Sequence, residues 1–304
     1  MNHEPLPKTL IVIAGPTASG KTAAAIALAQ HFNTAVVSAD SRQFFREMSI
    51  GTAKPTETEL AAAPHYFINS HSVTESFSVG DFERQCLDLL DDLFKKHDVV
   101  ILAGGSGLYI KAITEGFDDL PTADTAIRDK LNAELAQNGI KSLQERLKSA
   151  DPAYYSEVDI NNPQRVIRAL EVYESTGKPI SSYRVANLNK RPFNIIKLGL
   201  DMPREKLYGR INQRVDNMVQ DGLVDEVRSL IPYRHLNALN TVGYSELFDH
   251  FDGNTMLEAA IAAIKQNTRR FAKRQLTWFR KDKDIIWFDA GDPELIAKML
   301  KTVQ

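Results

Sequence analysis

The 304-residue sequence predicts an α/β fold, a parallel sheet flanked by helices and interrupted by an all-helical insertion. Three observations predict it. Short apolar runs of strand length alternate with longer amphipathic segments, the pattern of parallel strands joined by helical crossovers. One such run, Leu10 to Ala14, leads into Gly15-Pro16-Thr17-Ala18-Ser19-Gly20-Lys21-Thr22 and then the alanine-rich segment Ala23 to Gln30, so strand, glycine loop and helix follow in succession. Between residues 121 and 191 the strand signal disappears and helical periodicity alone remains. The expected division is therefore a core of residues 1–120 and 192–304 around an insertion of residues 121–191.

The loop pattern GxxxxGK[ST] has a mechanical reason. Its glycines let successive backbone N–H groups turn inward on a phosphate at a helix N-terminus, Lys21 adds a point charge, and Thr22 offers a hydroxyl to Mg²⁺. The core is thus predicted to be P-loop NTPase-like and to bind a phosphorylated ligand, nucleotide or not. Ala35 to Ala39 reads as the second strand and ends in Asp40-Ser41-Arg42-Gln43. Ligands of open parallel sheets sit beyond the carboxyl ends of the strands, which places Asp40 in the same crevice; its plainer role is a turn or N-cap residue. Glu57 to Ala63 reads as a short helix, His65 to Ile68 as a strand, and Asp81 to Lys96 as an amphipathic helix. Val99 to Ala103 is the most apolar strand and ends in Gly104-Gly105-Ser106-Gly107, where hydrolysing P-loop proteins carry an acidic metal partner. Glycines stand there instead, which weakens an ATPase reading.

Helices are expected in the insertion at Ala126 to Asn138, Leu143 to Ala150 and Pro163 to Thr176, the last after the capped start Asn161-Asn162-Pro163. The chain returns to the sheet at Ile195 to Leu200. Helices follow from Pro203 to Gln220 and Leu223 to Ile231, and Arg210 and Arg214, four residues apart, share one face of the first. Met256 to Lys283 reads as a long basic helix with Phe271, Trp278 and Phe279 interleaved. Such a helix grips phosphates and stacks on unpaired bases, or else is a core helix with a solvated basic face. A strand at Ile285 to Phe288 and a short helix close the chain.

A net charge of −2 excludes any global attraction to nucleic acid, so a polyanion site must come from local clustering. The single cysteine, Cys86, excludes an intrachain disulfide or a cysteine zinc site and reads as a buried structural thiol. His65 and His71 have no partner at metal-ligand spacing. With neither a leader segment nor a transmembrane run, the chain reads as a cytoplasmic enzyme, expected to be a monomer.

Taken together, Gly15 to Thr22, Asp40 to Gln43, Gly51-Thr52-Ala53-Lys54-Pro55, Gly104-Gly105-Ser106, Asn162-Pro163-Gln164-Arg165, Val242-Gly243-Tyr244 and Lys273 to Arg280 resemble the bacterial tRNA dimethylallyltransferases, also called tRNA isopentenyltransferases. The resemblance implies transfer of a dimethylallyl group from dimethylallyl diphosphate to N6 of the adenine beside the anticodon, at tRNA position 37. It implies that Gly15, Pro16, Thr17, Ala18, Ser19, Gly20, Lys21, Thr22 and Arg214 bind the donor diphosphate with Mg²⁺ at Thr22, and that Asp40, Thr17 and Lys21 are catalytic, Asp40 as general base. It further implies tRNA contacts at Asp40, Ser41, Arg42, Gln43, Ser106, Arg128, Gln164, Arg165, Val166, Ile167, Arg168, Val242, Gly243, Tyr244, Lys273, Arg274, Gln275, Leu276, Thr277, Trp278, Phe279 and Arg280, with the insertion clasping the anticodon stem. Around Val242-Gly243-Tyr244 the family often carries arginines, whereas this chain has Asn240 and Ser245.

The chemistry fits those residue types, since a departing diphosphate needs cations and N–H donors, and an adenine amine needs a carboxylate to accept its proton. A stacked base must be flipped to reach the allylic carbon. Three alternatives stay open at this point: a nucleoside or nucleotide kinase, an RNA-binding GTPase-like module, and an enzyme prenylating free adenine nucleotides. The first gives no reason for the basic aromatic helix, the second lacks an acidic residue after the glycine-ended strand and a guanine-selective loop, and the third leaves the tRNA-facing motifs unused.

Overall fold

The computed structural model describes residues 8–117, 120–121, 125–184 and 190–303. The chain divides into two compact units, one of Met1–Thr114 with Arg191–Gln304, the other of Glu115–Lys190.

The first unit is built on a six-stranded parallel sheet of β1 (Thr9–Ala14), β2 (Val36–Ser38), β3 (His65–Tyr66), β4 (Val99–Gly104), β5 (Asn194–Asp201) and β6 (Ile285–Asp289), in the order β3-β2-β4-β1-β5-β6. Before β4 lie α1 (Lys21–His31), α2 (Glu57–Ala62) and α3 (Val79–Phe94), and after it α4 (Gly107–Thr114). Because side chains alternate across a strand, Leu10 and Val12 of β1 pack with Val100 and Leu102 against Phe82, Cys86 and Leu90 of α3. Ile11 and Ile13 face the other way, onto Ala24, Ala25 and Leu28 of α1. Each fully buried Leu or Ile there contributes about 1.5–3 kcal/mol of burial free energy. Both faces of the central strand are dry, as its unbroken apolar run requires.

The second unit contains α5 (Thr125–Asn138), α6 (Ile140–Ala150), α7 (Pro152–Glu157) and α8 (Pro163–Thr176), with a core of Leu131, Leu143, Leu147, Val166, Ile167 and Leu170. Back in the first unit come α9 (Arg204–Gln220), α10 (Leu223–Ser229), α11 (Ser245–Phe251), α12 (Leu257–Phe279) and α13 (Leu295–Val303). The inner faces of α9 to α12 enclose a further core with Phe44, Phe45 and Met48 from the segment after β2.

Several boundaries differ from expectation for local reasons. The strand expected at His65 to Ile68 stops at Tyr66 because Phe67 (φ 58°) and Asn69 (φ 56°) take the left-handed conformation. Helix α3 starts two residues early because Ser78 and Asp81 form a reciprocal capping box. The helix expected to reach Ile231 ends at Ser229 and the chain goes on as a short 3-10 turn at Ile231–Tyr233, since Pro232 has no N–H to bond the carbonyl four residues back. The long basic helix ends at Phe279, so Lys281 and Lys283 lie beyond it. Helices α4, α7 and α11 are additions; α4 begins at the last glycine of a stretch that reads as loop. Among the described residues no helix is long and apolar enough to cross a membrane.

Candidate active site

The site lies at the carboxyl ends of β1, β2 and β4, in a cavity of about 750 Å³ lined entirely by the first unit. Gly15 leaves β1 so close to β5 that a Cβ there would stand 2.6 Å from the carbonyl oxygen of Leu200. Ala18 (φ 64°) and Gly20 (φ 94°) then turn the chain into α1, whose N-terminus has no side-chain cap. Its first N–H groups are therefore available to an anion.

Cations converge on this loop. Lys21 Nζ donates to the carbonyl of Pro16 at 2.7 Å, and Arg214 Nη1 donates to Thr17 Oγ1 at 3.0 Å. Arg210, one turn earlier on α9, lines the same cavity. Burial, reinforced by Arg214 and opposed by Asp40, lowers the pKa of Lys21 to about 7. Burial lowers that of Arg214 as well. Like charges gathered out of water repel, and a bound polyanion removes that repulsion.

Asp40 follows β2. Its Oδ1 accepts the N–H of Arg42 at 3.0 Å, an Asx turn, and its carboxylate lines the same cavity as the loop. The residues on either side of it are held by Ser106, whose Oγ accepts the N–H of Ser41 at 2.9 Å and whose N–H donates to Ala39 O at 3.3 Å. Thr22 also lines the cavity. No group of three or more His, Cys, Asp or Glu among the described residues could hold a metal. A threonine hydroxyl beside a phosphate loop nevertheless suits Mg²⁺, which takes few protein oxygens and completes its shell with phosphate oxygens and water.

The other expected contact residues divide by exposure. Arg42 is half-buried beside Tyr109 and Asp40, while Gln43 donates to Thr52 O and Ala53 O, which line the cavity, and accepts from Ser38. Val242 and Gly243 line the cavity. Tyr244 does not offer a surface: it is fully buried, its hydroxyl donates to Glu226 Oε1 at 2.6 Å, and Gly51 must lack a Cβ to admit its ring. Asn240 is exposed, and Ser245 Oγ donates to Thr241 O. On α12, Lys273, Arg274, Thr277 and Trp278 are exposed and Leu276 is half-buried. Gln275 and Phe279 point into the protein, and the exposed Arg280 donates to Asp201 at 2.7 Å.

In the helical unit, Gln164 and Arg165 are exposed at the start of α8, whereas Val166 and Ile167 are buried in that unit's core and pack rather than contact a ligand. Arg128 and Arg168 both reach the fully buried Glu171, at 2.8 and 3.3 Å, and Arg168 also donates to Pro121 O. Glu226 escaped sequence reasoning entirely. Its carboxylate accepts the N–H groups of Ser49, Ile50 and Gly51 at 2.7–3.0 Å, fixing the loop that brings Gly51 to Pro55 onto the cavity. Nothing in the pattern of α10 marks it.

Residues 43–282 match the family model described as IPP transferase. The chain belongs to that family. A tRNA dimethylallyltransferase of Cytophaga hutchinsonii is 54% identical over 285 residues, covering 94% of each chain. One of Christiangramia forsetii is 57% identical over 280 residues, 92% of this chain and 93% of the other. Among solved structures, the tRNA isopentenylpyrophosphate transferase of Bacillus halodurans superposes with a TM-score of 0.71 at 39% identity, over 97% of this chain and 94% of that one. A eukaryotic dimethylallyltransferase captured acting on tRNA gives 0.78 at 27% identity, over 97% and 77%.

Proposed function

We propose that this chain transfers a dimethylallyl group from dimethylallyl diphosphate to N6 of the adenine at position 37, beside the anticodon of tRNA, releasing diphosphate. The observation that carries this reading is the presence of two unlike groups in the wall of one cavity: a cationic phosphate loop after β1 and a carboxylate, Asp40, after β2. N6 attacks the allylic C1, the C1–O bond breaks with its electron pair leaving on diphosphate, and the N6 proton passes to the Asp40 carboxylate. Lys21, Arg214 and the α1 N-terminus take up the charge that grows on the leaving group. Arg214 also orients Thr17. Mg²⁺ held at Thr22 and by diphosphate oxygens would add further positive charge at that point. The exposed Lys273, Arg274 and Trp278 of α12 and Gln164 and Arg165 of α8 suit the phosphates and splayed bases of an anticodon stem-loop.

The direct test supplies labelled dimethylallyl diphosphate with unmodified tRNA and follows label into RNA. Absence of incorporation with ATP hydrolysed instead would overturn the reading. Two further outcomes are expected. Lys273→Ala combined with Arg274→Ala should weaken tRNA binding and flatten its log–log salt dependence by roughly one unit per lost phosphate contact, leaving pyrophosphate affinity unchanged. An unaltered salt slope would make this face of α12 merely solvated.

The second concerns proton uptake. With its pKa lowered to about 7, Lys21 is charged in the free protein below that pH and must take up a proton on binding diphosphate above it. The pyrophosphate affinity that wild type holds over Lys21→Met should then shrink by up to about tenfold per pH unit above neutrality. Comparing the two proteins cancels pyrophosphate's own titration, and a pH-independent difference would show that Lys21 is already charged throughout.

A further inference from the structure

The helix that carries the exposed basic face turns one polar side chain the other way. Gln275 is only 7% exposed, and both ends of its amide are used: Oε1 accepts the N–H of Thr17 at 2.8 Å, and Nε2 donates to Gly105 O at 2.9 Å. Glutamine is suited to this task because it presents an acceptor and a donor side by side without charge. A glutamate would set a carboxylate against the Gly105 carbonyl, and a methionine would leave both backbone groups unpaired. Gly105 is fitted to the same contact, since a Cβ there would stand 2.3 Å from Nε2.

The two backbone groups lead to two different parts of the cavity wall. Thr17 continues through its hydroxyl to Arg214 at 3.0 Å. Gly105 precedes Ser106, which holds Ser41 and Ala39, the neighbours of Asp40 on either side. One amide thus spans the phosphate loop and the turn that fixes the carboxylate. It also occupies the Thr17 N–H, which is no longer free for a phosphate oxygen.

We propose that Gln275 is a positioning residue that sets the separation between the phosphate loop and the Gly104–Ser106 turn, and through them between the departing diphosphate and the proton-accepting carboxylate. Sequence position alone places it among the tRNA contacts of α12; in the structure both ends of its amide are taken by backbone groups of the cavity wall. The assignment of roles to its two sides rests on the proposed transferase reaction, while the bridging geometry does not.

The test uses the full-length protein with Gln275→Met, which keeps the length and removes both hydrogen bonds. Single-turnover transfer at saturating tRNA and donor should fall about 10- to 100-fold, the size of effect that small misplacements produce. Pyrophosphate affinity, read by calorimetry without any reaction, should weaken severalfold, and tRNA affinity should stay within about twofold of wild type. Adding Ser106→Ala should cost less than its separate effect, because both changes loosen one connection. Gly105→Ala, which displaces the amide from the opposite side, should reproduce the pattern and guards against a methionine variant that folds poorly. A variant that loses tRNA affinity alone, or one with both rate and pyrophosphate affinity intact, overturns the proposal. Full additivity with Ser106→Ala would do so too. If wild type labels no RNA, the transferase reading fails, and the pyrophosphate measurement still decides whether Gln275 holds the loop.

Discussion

Asp40→Asn is expected to retain tRNA and pyrophosphate binding while single-turnover transfer falls by about 10²- to 10⁴-fold, the usual range for loss of a general base. The structure sharpens this expectation. Asparagine keeps an Oδ1 to accept the Arg42 N–H, so the turn survives, and Ser106 still holds the residues on either side. What disappears is the ability to accept a proton. One secondary effect has to be kept apart: Asp40 opposes the lowering of the Lys21 pKa, so its neutralisation makes Lys21 easier to discharge. Working somewhat below neutral pH keeps Lys21 protonated in both proteins and isolates the base. A rate within a few-fold of wild type under those conditions removes Asp40 from the mechanism and leaves it a turn residue.

Lys21→Ala should lower turnover by on the order of 10²-fold or more, as loss of a preorganised electrostatic contact to a leaving group does. The ammonium is buried and already anchored to Pro16 O, so its charge is spent on the diphosphate with little reorganisation. Methionine at this position retains the aliphatic stem and should show a comparable loss, which would assign the effect to charge and not to a cavity left beside the loop. An alanine variant with an unchanged single-turnover rate would rule the role out.

Much of this arrangement was legible in the sequence because the signals were local and redundant. β1, the glycine loop and α1 combine a dry apolar run, a fixed spacing and a helix start, and all three had to coincide. The ends of β2 and β4 were legible for a related reason: parallel strands buried on both faces leave little ambiguity about period. What stayed hidden depends on contacts distant in sequence. Phe67 carries no local mark of its left-handed turn. Tyr244 belongs to a motif that reads as a binding loop, yet its ring fills the space left by Gly51 and its hydroxyl ends on Glu226. Gln275 is the instructive case, because the buried stripe of α12 runs through Ile264, Ala272, Gln275 and Phe279 at helical spacing. That periodicity marked it as inward-facing, but its polarity and its basic neighbours drew it to the surface in the sequence reading.

The strand order sets a ruler. β4 lies between β2, which leads to the carboxylate, and β1, which leads to the phosphate loop, so the two strands that launch these groups stand two interstrand steps apart, roughly 10 Å. The strand in the middle clears that interval: Gly104 is pressed so hard against Ala39 that a Cβ would lie 2.2 Å from its carbonyl oxygen, and no side chain can grow there. A metal-binding carboxylate on that residue is therefore sterically forbidden by this sheet. A lineage holding this strand contact could not drift into nucleotide hydrolysis by a single substitution at Gly104; it would first have to move a strand.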